Sequence, residues 1–154
     1  MKLFIGTSSS EKIDKKYLEG SKELLDIILK DNDLVFGYCD RSIMRLSYDI
    51  AISNNNKAIA SLPKIYDEKN DYLKVDEKYV CNSMMQSTEK IISESDAFIM
   101  LPGGFGTIFE IFSFIQTKIS KDHNKKIIIY NMYGFYDNLI KFIDDLYNEK
   151  FAEL

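Results

Sequence analysis

Short unbroken apolar runs alternate along this chain with longer stretches whose apolar residues recur at helical spacing. The runs are Leu3-Phe4-Ile5, Leu34-Val35-Phe36, Ala58-Ile59-Ala60-Ser61-Leu62, Ala97-Phe98-Ile99-Met100-Leu101 and residues 126–130, with a shorter one near Tyr79-Val80. Runs this short, with no polar alternation, suit strands buried on both faces of a parallel sheet. Residues 12–30 predict an amphipathic helix with Leu18, Leu24, Leu25, Ile28 and Leu29 on its apolar stripe. Further helices are expected at about 43–53, 84–94, 106–120 and 136–148, and the polar stretch 63–78 reads as a long surface loop. Strands alternating with helices in this way predict an α/β fold, a parallel sheet with helices on both faces. Residues 1–154 are enough for one domain with a sizeable core.

The chemistry concentrates where strands end. Pro102-Gly103-Gly104-Phe105-Gly106-Thr107 follows the apolar run 97–101 and opens the helix predicted at 106–120. Strand, glycine turn, helix aims free backbone N–H groups and the positive end of a helix dipole at an anion. Glycines there let the main chain approach a phosphate without a Cβ in the way. The spacing is neither Gly-x-Gly-x-x-Gly nor the P-loop pattern, since no Lys-Ser or Lys-Thr pair follows Gly106. Two other strand ends, Gly6-Thr7-Ser8-Ser9-Ser10 and Gly37, carry similar turn-forming sequence. Ligands in such sheets bind beyond these ends, where the strand order reverses. A tight turn without a ligand is the simpler alternative.

Composition narrows the candidates. The formal net charge of -4 gives no basic field to attract nucleic acid, so an anionic ligand must be held by local donors. Arg41 and Arg45 are the only arginines. Cys39 and Cys81 stand far apart with no CxxC and no histidine nearby, which predicts no metal site and fits a reducing, cytoplasmic compartment. His123, the only histidine, lies in a polar stretch and reads as a solvated loop residue, which sets a Ser-His-Asp triad aside. No membrane span and no signal peptide is expected.

Glu110 lies one turn into the helix that follows the glycines. On a helical wheel Ile108, Ile111, Phe112, Ile115 and Ile119 share one face, while Glu110, Ser113 and Thr117 share the other with Phe114 beside them. Glu110 is thus either part of a solvated stripe or a carboxylate within reach of a sugar whose phosphate sits on the helix N-terminus. In that position it can stabilise an oxocarbenium-like transition state or activate water at an N-glycosidic bond. Phe109 and Phe114, angled away from the apolar face, together with Met84, Met85, Ile91 and Ile92 on the preceding helix, predict an exposed patch and a two-fold dimer.

The segment Pro102-Gly103-Gly104-Phe105-Gly106-Thr107-Ile108-Phe109-Glu110 matches the PGGxGTxxE signature of the Lonely Guy family, whose members have also been called possible lysine decarboxylases. Phe4-Ile5-Gly6-Thr7-Ser8-Ser9, residues 95–101 and residues 130–137 look like that family's opening strand, the strand before its signature and its last strand with the following turn. The resemblance implies a Rossmann-like dimeric enzyme that removes the base from a nucleoside 5′-monophosphate, AMP-like or cytokinin-like, and needs no cofactor. It implies Glu110 as the catalytic carboxylate, with Gly103, Gly104, Gly106 and Thr107 on the phosphate. Gly6, Ser8, Ser9, Gly37, Met84 and Ser87 would line the rest of the site. No lysine is singled out for pyridoxal phosphate chemistry.

The chain departs from the pattern twice. The family's Met-x-x-Arg-Lys falls on Met84-Met85-Gln86-Ser87-Thr88, so its arginine is Ser87 and its lysine Thr88. Tyr38, Cys39, Ser42 and Arg45 stand where a second glycine turn would be. A non-catalytic nucleotide binder, a sensor or carrier of the same fold, is the alternative these departures favour; the molybdenum-cofactor carrier type is one such relative.

Overall fold

The alternation of the sequence becomes a six-stranded, all-parallel sheet. The structure, a computed structural model, describes residues 1–67 and 73–153. In chain order the strands are β1 (Lys2–Gly6), β2 (Asp33–Phe36), β3 (Ala58–Pro63), β4 (Glu77–Cys81), β5 (Ala97–Met100) and β6 (Lys126–Ile129). The helices are α1 (Lys15–Ile28), α2 (Ser42–Ser53), α3 (Met84–Glu94), α4 (Phe105–Ile119) and α5 (Asp137–Asn148). Spatial order is β4-β3-β2-β1-β5-β6. The chain winds outward from β1 in one direction, then returns to β5 on the other side. The switch in strand order therefore lies between β1 and β5, and the crevice expected there opens between the ends of β1 and β5.

Strand pleating sorts the core into two layers. Leu3, Ile5, Leu34, Phe36, Ala60 and Ile99 face one way and pack with Leu25 of α1, with Leu29 just past its end, and with Ile43 and Ile50 of α2. Phe4, Val35, Ile59, Phe98 and Met100 face the other way, onto Ile91 of α3 and Ile111 and Phe114 of α4. Phe98 stacks on Phe114 with ring centroids 4.0 Å apart, and Phe4 meets Phe114 edge-on at 5.5 Å.

Several expectations change. Helix α1 begins at Lys15 because the Asp14 carboxylate caps it, accepting from the Lys16 N–H at 3.0 Å. Leu18 is exposed, since the buried line runs through Gly20, Ser21 and Leu25. Phe114 and Ile91 are buried in the core and form no outer patch. The buried stripe of α4 is Thr107, Ile111 and Phe114, leaving Ile119 exposed. His123 is half-buried and bonded. Its Nδ1 accepts from the Lys125 N–H, so Nε2 carries the proton and donates to the Phe114 carbonyl at 3.2 Å. Burial holds its pKa below the ordinary value. The stretch read as one loop contains a 3-10 turn at Lys64–Tyr66 and the start of β4, and its residues 68–72 lie outside the described residues. No helix among the described residues is long and apolar enough to cross a membrane.

Candidate functional site

Three strand ends meet at the switch point. The turn after β1 and the turn after β5 are laced together: Thr7 Oγ1 donates to the Pro102 carbonyl at 3.3 Å, and Thr107 Oγ1 donates to the Thr7 carbonyl at 3.2 Å. Gly104 caps α4 with extended backbone and no side-chain cap, so the first amides of the helix have no intrahelical acceptor. They open into a cavity of about 220 Å³ lined by Thr7, Ser8, Ser9, Gly37, Met44, Ser61, Pro63, Tyr66, Met84, Ser87, Ile91, Gly104, Gly106, Thr107 and Glu110.

The structure thus brings together Glu110, Ser8, Ser9, Gly37, Met84, Ser87, Gly104, Gly106 and Thr107. Gly6 and Gly103 stand behind the wall. A Cβ on Gly6 would come within 2.2 Å of the Met100 side chain, and one on Gly103 within 2.1 Å of Thr107 Oγ1. Both glycines serve close packing. The Tyr136 hydroxyl donates to the Leu101 carbonyl at 2.7 Å, just before this turn. Burial, with Glu110 nearby, pushes the Tyr136 phenol above its ordinary range. Tyr136 thereby ties the start of α5 to the glycine turn.

Sequence reasoning passed over Ser61 and Tyr66. Ser61 had a signal, being the polar residue inside an apolar strand run. Its hydroxyl lies 3.0 Å from Ser87 Oγ and donates to the Ser87 carbonyl at 3.2 Å. This buried hydroxyl pair lies on the cavity wall. Among the described residues, no lysine or arginine lines this cavity. Arg45 is committed elsewhere, to Asp40 and to Asp49 at 2.7 Å.

Glu110 faces the cavity half-buried, and among the described residues no hydrogen-bond or ion-pair partner meets its carboxyl group. Burial alone pushes it up to about 8, so the acid form is well populated at neutral pH. A carboxyl poised this way can give a proton to a leaving group and take one from water. Among the described residues, no three His, Cys, Asp or Glu side chains cluster to hold a metal.

Tyr38 and Ser42, which stand in for glycines of the second turn, have φ of 55° and 53°. The backbone keeps a left-handed conformation that glycine adopts without strain, and the side chains bear the strain. Tyr38 recovers part of it: its hydroxyl donates to the Leu73 carbonyl at 3.3 Å.

Comparison with known proteins identifies relatives of this chain. Residues 44–153 match the family described as "Possible lysine decarboxylase". A rice (Oryza sativa subsp. japonica) protein named as a probable cytokinin riboside 5′-monophosphate phosphoribohydrolase is 30% identical over 97% of this chain, which spans 60% of that protein. An Arabidopsis thaliana protein named as a cytokinin riboside 5′-monophosphate phosphoribohydrolase is 29% identical over 97% of this chain and 70% of its own. Among solved structures, the molybdenum cofactor carrier protein of Chlamydomonas reinhardtii superposes with a TM-score of 0.70 at 16% identity, covering 94% of this chain and 84% of that one. The molybdenum cofactor binding protein of Rippkaea orientalis gives 0.58 at 18% identity, covering 93% and 96%. These structures share the fold. With its sequence relatives and the family match over most of its length, the chain belongs to the Lonely Guy family, also described as possible lysine decarboxylases.

Proposed function

We propose that this chain hydrolyses the N-glycosidic bond of a nucleoside 5′-monophosphate, releasing free base and ribose 5-phosphate. The observation that carries this reading is Glu110 facing the same cavity as the unpaired amides of α4. A phosphate on those amides, with Ser8 and Ser9 beside it, places C1′ of the ribose near the Glu110 carboxyl. Glu110 gives its proton to the departing base nitrogen as the C1′–N bond breaks. The resulting carboxylate then takes a proton from the water whose oxygen bonds to C1′, which restores the acid. Incubation with AMP and other monophosphates should release base and ribose 5-phosphate in equal amounts. A folded protein that releases neither at high concentration rules the hydrolase out.

One observation favours a second reading. Among the described residues no lysine or arginine lines the cavity, and the groups they offer a phosphate are amides, hydroxyls and the helix dipole. Loss of a charge-assisted contact is worth about 1.5–3 kcal/mol, which would slow turnover about 10–150-fold and favours a weak or non-catalytic binder. Calorimetry showing nucleotide binding alongside a negative release assay would select this reading.

We also propose a homodimer that shares the mouth of the cavity. Exposed apolar side chains crowd the carboxyl ends of the strands: Phe105 is 97% exposed, Ile65 84% and Met85 69%. Such a patch on a folded surface marks an interface. Light scattering at micromolar concentration should give twice the chain mass of 17.9 kDa, and a value near 17.9 kDa rejects the dimer. A cytoplasmic setting suits the free Cys39 and Cys81 thiols.

A further inference from the structure

The cavity that holds Glu110 adjoins a second one across Gly37, Met44 and Tyr66. This second cavity, about 360 Å³, shares Gly37, Met44 and Tyr66 with the first and is also lined by Cys39, Asp40 and Arg41. The reaction proposed above leaves it unused. Its shared wall sets a thioether and an aromatic ring beside one another, surfaces that suit a planar heterocycle. A nucleotide with its phosphate at the N-terminus of α4 and C1′ by Glu110 still has its base to place, and the adjoining cavity beside Met44 and Tyr66 is large enough to take it.

The Asp40 side of this cavity is polar and fixed. Asp40 is held through Oδ1 by Arg45, which is itself anchored on Asp49 at 2.7 Å. Its other carboxylate oxygen takes no bond from a described residue. A half-buried carboxylate oriented like this accepts from an N–H edge with little reorganisation. An apolar substituent pressed against it would strip water and return no hydrogen bond, which is unfavourable.

We propose that the Asp40 cavity is the base subsite, and that it takes bases presenting an unsubstituted amino or ring N–H edge over bases carrying a bulky apolar group on the exocyclic nitrogen. The placement of phosphate and C1′ rests on the nucleotide hydrolase reading. The test is calorimetry with AMP and N6-isopentenyl-AMP in a Glu110→Gln background, where neither ligand is consumed. AMP should bind about tenfold or more tightly than the alkylated nucleotide. Asp40→Ala and the shape-conserving Asp40→Asn should both bring the two affinities to within about threefold. Equal or tighter binding of N6-isopentenyl-AMP overturns the proposal, and so does an affinity ratio unchanged in both variants. Base release by the unsubstituted protein separates the two ideas. Release with a preference for the alkylated nucleotide keeps the hydrolase and discards the subsite. The expected affinity ratio with no release keeps the subsite and discards the hydrolase. If no nucleotide binds, both fall.

Discussion

Glu110→Gln is expected to lower base release by about 10²–10⁴-fold while nucleotide affinity changes little, because the amide keeps the shape of the acid but cannot transfer its proton. The same variant carries a stability signature that a surface glutamate would not show. In the folded chain the carboxyl sits at about 8 against an ordinary value of 4.5. Between those values the unfolded chain has lost this proton and the folded chain still holds it, so stability falls as pH rises through that window. Below about pH 4 both states are protonated and the difference vanishes; above about pH 8 it is complete. Because Glu110 lines an open cavity and solvent screens it, the full penalty is on the order of 3 kcal/mol. Glutamine escapes it. Denaturant melts should therefore show Glu110→Gln more stable than the parent at pH 9 and equal to it at pH 4. Equal melts at both values would mean that Glu110 is solvated, and the proton-transfer role would go with it. Catalysis as an acid has the matching sign, with kcat lost as pH rises through about 8.

The strands were legible because both faces of the sheet are covered, which leaves runs such as residues 97–101 without a polar residue to mislead. The location of the site was legible for a related reason, since a glycine turn between such a run and a helix marks the carboxyl end of a central strand. The direction of α4 was not. Apolar residues surround most of that helix, so the wheel permits several stripes, and the contact with Phe4 and Phe98 selects the one through Thr107, Ile111 and Phe114. A threonine at the head of the buried stripe hides it further, because its bond to the Thr7 carbonyl is visible only once the two turns are side by side. The extent of β4 was masked by Glu77 and Lys78, tolerated because β4 lies at the edge of the sheet. Spacing also cannot tell a glycine that a ligand approaches from one that a neighbouring side chain approaches. That distinction separates Gly106 from Gly103.

Gly103→Ala and Gly106→Ala should consequently fail in opposite ways. At Gly103 a new Cβ would stand 2.1 Å from Thr107 Oγ1 and 2.6 Å from Thr107 Cβ. Thr107 has little room to yield, being buried, β-branched and bonded to the Thr7 carbonyl. The strain falls on the turn that joins β5 to α4, and the expected loss is about 3 kcal/mol of stability, with activity lost as the amides of α4 shift. At Gly106 a Cβ meets nothing within 4 Å, and φ there is not positive. Alanine inside the first turn of a helix should gain about 0.5–1 kcal/mol of stability through the unfolded chain. The space it enters is the cavity itself, since Gly106 lines the wall. Nucleotide affinity should fall by about tenfold in a protein that melts higher than its parent. Thermal melts and calorimetry on the two variants decide this. A Gly103→Ala protein as stable as the parent refutes the packing role, and a Gly106→Ala protein with full affinity means that the phosphate does not rest on this turn.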